Sequence, residues 1–232
     1  MIVAKAVYKH YGASDASRTV ALAGVDLHIR KGEMVSIMGP SGSGKTTLLY
    51  ALSGIEPADR GEIWFGNRPL HGMSEAEVSA LRLKSMGFVF QQYHLIPVLN
   101  VLDNVALPLI ARGVRRSAAR AAAEEALRDV MLADRLKAMP HELSGGQAQR
   151  VAIARAIVHH PEVVWADEPT GALDTAATQA IIALLRKINR EKRVTVVVVT
   201  HDPLVASASD RIIRMKDGRI LDPDERVPAG GG

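Results

Sequence analysis

Apolar positions along the chain fall into two kinds of pattern. Short runs with almost nothing polar in them, Met34-Val35-Ser36-Ile37-Met38, Val163-Val164-Trp165-Ala166 and Val194 to Thr200, predict strands covered on both faces. Phe88 to Phe90 and Ile212 to Met215 read as further core strands. Ile2 to Tyr8, Val20 to Ile29 and Gly61 to Gly66 instead predict strands of a smaller antiparallel sheet, with a polar loop from Gly12 to Thr19. A helical period sets in elsewhere. Thr175 to Arg190 places Ile181, Leu184, Leu185 and Ile188 on one stripe, and about 93 to 157 is mostly helical sequence without strand alternation. Strands interleaved with helices predict an α/β domain.

Three polar punctuations of this pattern carry chemistry. Between the strand ending at Met38 and the helix of Thr47-Leu48-Leu49-Tyr50-Ala51-Leu52 stands Gly39-Pro40-Ser41-Gly42-Ser43-Gly44-Lys45-Thr46, which fits the G-x-x-x-x-G-K-[ST] phosphate loop in the strand-loop-helix setting it needs. Its glycines let backbone N–H groups curl round phosphate oxygens, and the helix N-terminus adds partial positive charge. Lys45 is placed to reach β- and γ-phosphates, and the Thr46 hydroxyl to ligate Mg²⁺. The second punctuation ends a buried strand in two acids. Asp167 suits the metal; Glu168, projecting differently, suits polarisation of an attacking water. The third, Leu143-Ser144-Gly145-Gly146-Gln147, opens a helix running to Ile157 and makes a second anion site at a helix N-terminus.

With these residues in that order, the chain resembles the ATP-binding cassette (ABC) ATPases from about Ile2 to Leu221. The resemblance implies a P-loop NTPase with a RecA-like core, an antiparallel β subdomain and a helical signature subdomain at about 93–157, followed by a tail over 222–232. It assigns Tyr11 to adenine stacking and Gly39, Pro40, Ser41, Gly42, Ser43, Gly44, Lys45, Thr46 and Thr47 to the Walker A loop. Gln91 becomes the Q-loop glutamine, sensing Mg²⁺ and γ-phosphate. Ser144, Gly145, Gly146 and Gln147 form the signature loop, Asp167 and Glu168 the Walker B pair, Asp174 the D-loop and His201 the switch histidine. Glu168, Gln91 and His201 are the implied catalytic set; Thr46, Gln91 and Asp167 are the implied Mg²⁺ ligands. The family also implies a homodimer in which each signature loop faces the γ-phosphate on the other subunit, so ATP holds the dimer and hydrolysis loosens it.

Ser85 to Pro97, Asn104-Val105-Ala106-Leu107-Pro108-Leu109 and the stretch Glu168 to Asp174 resemble the MacB/LolD group, whose ATPases serve macrolide efflux and lipoprotein release. That narrower resemblance implies an integral membrane permease as partner and a peripheral place on the cytoplasmic face of the inner membrane. It also implies mechanical work on envelope substrates. The apolar segment Tyr93, Leu95, Ile96, Pro97 and Leu99 after Gln91 is the candidate contact with that partner.

Composition narrows the alternatives. With 232 residues, 47% of them apolar, there is one substantial core and not two independent enzymes. Cysteine is absent, which excludes disulfides and thiol chemistry. No apolar run approaches the roughly 18 residues of a membrane span, and Met1 to Lys5 lacks the pattern of a signal peptide. A net charge of +4 is modest, and Arg112, Arg115, Arg116 and Arg120 read as a solvated loop and first helical turn, so no nucleic-acid partner is expected. The seven histidines besides His201, including His159-His160, are read as surface or turn residues and not metal ligands. A chromosome-maintenance ATPase would need a long coiled coil between its halves, for which Lys45 to Leu143 leaves no room. A translation-type protein would need two cassettes. The remaining alternative is a regulatory ATPase with one cassette and no membrane partner.

Overall fold

The computed structural model describes residues 1–12 and 19–222; most of the stretch expected as a polar loop, 12–19, and of that expected as a tail, 222–232, lies outside the described residues. In chain order the elements are β1 (Ile2–Tyr11), β2 (Thr19–Ile29), β3 (Met34–Met38), α1 (Lys45–Leu52), β4 (Arg60–Phe65), β5 (Arg68–Pro69), α2 (Glu75–Ser85) and β6 (Met86–Phe90). Then follow α3 (Val101–Ala111), α4 (Arg116–Asp129), a 3₁₀ turn (Pro140–Glu142), α5 (Gly145–Ile157), β7 (Val163–Asp167), α6 (Thr175–Lys192), β8 (Thr195–Thr200), α7 (Pro203–Ser207), β9 (Arg211–Lys216) and β10 (Arg219–Asp222). Two compact units result: Met1–Ser79 with the chain from Thr195 onward, and Ala80–Val194.

The first unit contains two layers of strand. Its antiparallel sheet runs β2-β1-β4-β5, with Ile2 opposite Ile29 and Phe65, and Ala4 opposite Leu27 and Ile63. These inward positions are buried while Lys5 is exposed, the alternation expected of a sheet with one dry face. Its other strands lie in the order β10-β9-β3-β8. There β3 pairs in parallel with both neighbours, Ile37 facing Val199 on one side and Ile213 on the other. Val35 and Ile37 are fully buried, and fully burying such side chains contributes about 1.5–3 kcal/mol each, which fixes the strand whose end launches the phosphate loop. The β9–β10 hairpin turns at Asp217-Gly218, both with positive φ, the signature of a type I′ turn.

The second unit is built on the parallel pair β6–β7, with Met86 opposite Val163 and Phe90 opposite Asp167. Helix α5 packs on β6 so closely that a Cβ on Gly87 would fall 2.1 Å from the Ala156 carbonyl oxygen. Helices α3 and α4 pack on α5 and on each other, and Asn100 caps α3 by accepting from the Asp103 N–H at 2.8 Å. Among the described residues no helix is long and apolar enough to cross a membrane. Helix α2 and the short β5, β10 and α7 are not predicted by the apolar pattern; α2 carries its polar residues nearly all round and has no clear stripe. His159, read as a surface or turn residue, lies in the turn after α5 but not at the surface. It is buried, and its Nε2 lies 3.0 Å from the Met86 carbonyl, because α5 docks on β6 at this level.

Candidate functional site

The residues implied for nucleotide binding fall in both units. In the first, β3 ends at Met38 and the chain turns at Gly39, where a Cβ would sit 2.2 Å from the Met215 carbonyl. At the other end of the loop Gly44 has φ 93° and would place a Cβ 2.3 Å from the Ala21 carbonyl. No other residue fits either point. Between them Pro40, Ser41 and Gly42 are exposed, Ser43 is buried, and the Ser43 N–H donates to Pro40 at 3.2 Å. Lys45 opens α1 and folds back over the loop: its Nζ donates to the Gly39 and Pro40 carbonyls, both at 2.9 Å. The ammonium is thus held inside the loop and 7% exposed, where a phosphate oxygen can replace a carbonyl as its partner. Thr46 is exposed and Thr47 half-buried.

Tyr11 ends β1 with 41% of its surface exposed. Its hydroxyl donates to Glu56 Oε2 at 2.7 Å, the Thr47 side chain also bonds the phenol, and Lys9 Nζ lies 5.6 Å from the ring centroid. Burial and then the Glu56 contact push the phenol above its ordinary pKa. Lys9 in turn bonds Glu56 at 3.1 Å and Asp59 at 3.5 Å, and these acids raise its pKa although burial opposes them. The hydroxyl is therefore held by Glu56 and Thr47, and the Lys9 ammonium lies over the ring of a residue that stays largely open to solvent. His201 stands just before Asp202, which caps α7 by accepting from the Leu204 N–H at 2.8 Å.

The second unit gathers Gln91, Ser144 to Gln147, Asp167, Glu168 and Asp174. Asp167 closes β7, and Glu168 follows in the left-handed region at φ 46°. A non-glycine there costs on the order of 1–3 kcal/mol, strain that the surrounding packing must hold in place. The Gln91 side chain lies against Gly171: a Cβ on that glycine would fall 2.8 Å from Gln91 Nε2. Ser144 caps α5, its Oγ accepting from Gln147 N–H at 3.3 Å while Gln147 Oε1 accepts from Ser144 N–H at 3.0 Å. That pairing uses an acceptor lone pair of Ser144, so its O–H and the amides of the first turn present donors to an anion. A Cβ on Gly145 would meet Tyr93 Oη at 2.9 Å and Leu173 Cδ2 at 3.3 Å, so the signature loop, the segment after Gln91 and the stretch before Asp174 adjoin. Asp174 caps α6, its Oδ1 accepting from Ala177 N–H at 2.7 Å.

Three residues to which the sequence assigns no role of their own organise this unit. Arg155 of α5 donates to the His94 carbonyl at 2.5 Å and the Tyr93 carbonyl at 2.7 Å, clamping two residues whose φ are 47° and 58°. Burial lowers its guanidinium pKa. Fully buried Asn104 accepts from Ile96 N–H at 2.7 Å and donates to the Leu99 carbonyl at 2.9 Å, pinning the apolar segment after Gln91. Gln149, also fully buried, donates to the Pro169 carbonyl at 2.5 Å and lies 3.4 Å from that of Phe90. The described residues hold no cluster of three or more histidine or acidic side chains of a resident metal centre. The Thr46 hydroxyl and the Asp167 carboxylate are each, taken singly, oxygen donors of the kind a divalent cation takes.

Residues 22–171 match the ABC transporter family. Over 208 residues the chain is 48% identical to the lipoprotein-releasing system ATP-binding protein LolD of Bordetella pertussis, covering 90% of each. Over 221 residues it is 43% identical to the macrolide export ATP-binding/permease protein MacB of Pasteurella multocida, covering 95% of this chain and 34% of that longer one. A solved dimeric structure of a bacterial ABC transporter cassette matches with a TM-score of 0.90 at 42% identity, over 99% of this chain and 100% of that one. The same cassette in a post-hydrolysis dimeric state bound to ADP and Pi matches equally well. The chain belongs to the ABC transporter family: its fold is the α/β P-loop cassette, and it is an ATP-binding subunit with ATPase activity.

Proposed function

We propose that the chain is the ATP-hydrolysing subunit of an export or mechanotransmission complex of the MacB/LolD kind, working as a homodimer beside an integral membrane permease on the cytoplasmic face of the inner membrane. The observation that carries the nucleotide part is Lys45, buried in a glycine-bounded loop with its ammonium on two backbone carbonyls. In this reading residues 1–221 act as one ATPase domain, with a helical subdomain at about 93–157. Lys45 and the loop amides hold the β- and γ-phosphates, Tyr11 stacks on adenine, and Thr46, Asp167 and Gln91 hold Mg²⁺. The metal supplies charge neutralisation at the phosphates when bound. Glu168 accepts the proton of the attacking water, His201 orients the γ-phosphate, and Ser144 to Gln147 with Asp174 complete the site of the second subunit.

Support for a membrane partner comes from the segment after Gln91. Ile96 is 39% and Val98 79% exposed, yet buried Asn104 pins the backbone on either side, at Ile96 and Leu99. Rigid exposed apolar residues beside a nucleotide-sensing glutamine suit a protein contact.

The nucleotide assignment is tested by titrating Lys45→Ala with ATP. Losing the charge that offsets the phosphates should weaken binding at least a hundredfold, about 2.7 kcal/mol; unchanged affinity would remove the Walker A assignment.

A further inference from the structure

Gln149 is a polar side chain in a helix that is otherwise packed with small apolar residues: Ala148, Val151, Ala152, Ile153 and Ala154 are all buried with it. Its amide orientation is fixed by chemistry. Both neighbours of its terminal nitrogen are carbonyl oxygens, of Pro169 and Phe90, and the amide oxygen could not face them. Oε1 points where no polar partner meets it among the described residues. What the amide supplies over a leucine of similar size is therefore two N–H donors, one to each carbonyl.

Those carbonyls belong to the residues directly before Gln91 and directly after Glu168. Pro169 has no N–H through which its peptide could be tied, and Glu168 ahead of it is in the left-handed region. Downstream, the Gly171 N–H donates to the Glu168 carbonyl at 3.1 Å, and the Gln91 side chain rests on Gly171. One buried amide thus joins the ends of β6 and β7 to the helix that begins at the signature loop. Because α5 is one continuous helix from its cap at Ser144 through Gln149, the position of its N-terminus and the positions of Gln91 and Glu168 are linked through that amide.

We propose that Gln149 is a positioning residue for hydrolysis: it holds Gln91 and Glu168 in register with the N-terminus of α5, acting through the Phe90 and Pro169 carbonyls. This rests on the roles given above to Gln91 and Glu168. Misplacement of a reacting group by about 1 Å can cost a hundredfold in rate without affecting binding that other residues supply.

Two variants test it, Gln149→Met, which keeps bulk and removes both donors, and Gln149→Glu, which keeps shape and places an acceptor against two acceptors. Each is compared with wild type in kcat, KM, ATP affinity and thermal melting, with Glu168→Gln as the reference for the site itself. The expected result is a folded protein at assay temperature, ATP affinity within about twofold of wild type, and kcat reduced roughly ten- to a hundredfold, more for Glu than for Met. A folded Gln149→Met with wild-type kcat, or a parallel loss of affinity and kcat, overturns the proposal. So does failure of both variants to fold, which would assign Gln149 to the core alone. Normal turnover by Glu168→Gln would instead overturn the reading of the site, leaving the two failures distinguishable.

Discussion

At the scale of single residues, the proposed site separates groups assigned to phosphate from groups that hold other side chains in place. Around Tyr11 the second kind is visible: Glu56 and Thr47 bond its hydroxyl and Lys9 lies over its ring, while the side chain stays largely exposed. Stacking on a base contributes about 1–3 kcal/mol, so Tyr11→Ala should weaken ATP binding about five- to a hundredfold, whereas Tyr11→Phe keeps the ring and should stay within about threefold. Fluorescence titration with ATP checks this; equal losses in both variants would show that the phenol, and not the ring face, is what binds. Lys45, Asp167, Glu168 and the glycines were legible in the sequence because a phosphate loop and a strand ending in acids are local patterns. Gln149, Asn104 and Arg155 were not, since their partners lie far along the chain and a buried polar residue in a wholly buried helix leaves no periodic trace. Glu56 is hidden from Tyr11 in the same way.

At the scale of elements, apolar runs located β3, β7 and β8 closely because strands buried on both faces tolerate almost nothing polar. Helix α2 went unseen for the opposite reason, its mixture of charges obscuring the buried Val78 and Leu81. The docking of α5 on β6 hides His159, whose Nε2 must donate to the Met86 carbonyl and whose pKa is lowered, by burial first and then by Arg112 and His160 despite that hydrogen bond. A depressed histidine pKa has a definite sign in linkage. Above about 6.5 neither folded nor unfolded chain binds the proton; below it the unfolded chain binds one that the folded chain refuses, so stability falls until the folded pKa is passed. His28, likewise depressed chiefly by burial, adds to the same window. His159→Gln can donate the same hydrogen bond without titrating, so its urea midpoint should drop less than that of wild type between pH 7.5 and 5.5. Identical slopes for the two proteins would show that His159 is not protonation-limited in the fold.

At the scale of the whole molecule, the account makes one chain hold two incomplete half-sites, a Walker loop and a signature loop, each finished by a second copy. The dimeric form of the related cassette is consistent with that arrangement. The helix N-terminus at Ser144 supports it chemically, because Ser144 and Gly145 are exposed there and a helix N-terminus favours an anion. The most direct test is the mass of Glu168→Gln in solution with ATP and Mg²⁺, read by light scattering after size exclusion and paired with its rate of phosphate release. The account predicts twice the chain mass with ATP, the single-chain mass with ADP, and turnover reduced at least a hundredfold, about 2.7 kcal/mol of barrier. A protein that stays at single-chain mass with ATP while releasing phosphate at the wild-type rate would contradict both the general-base role of Glu168 and the shared site.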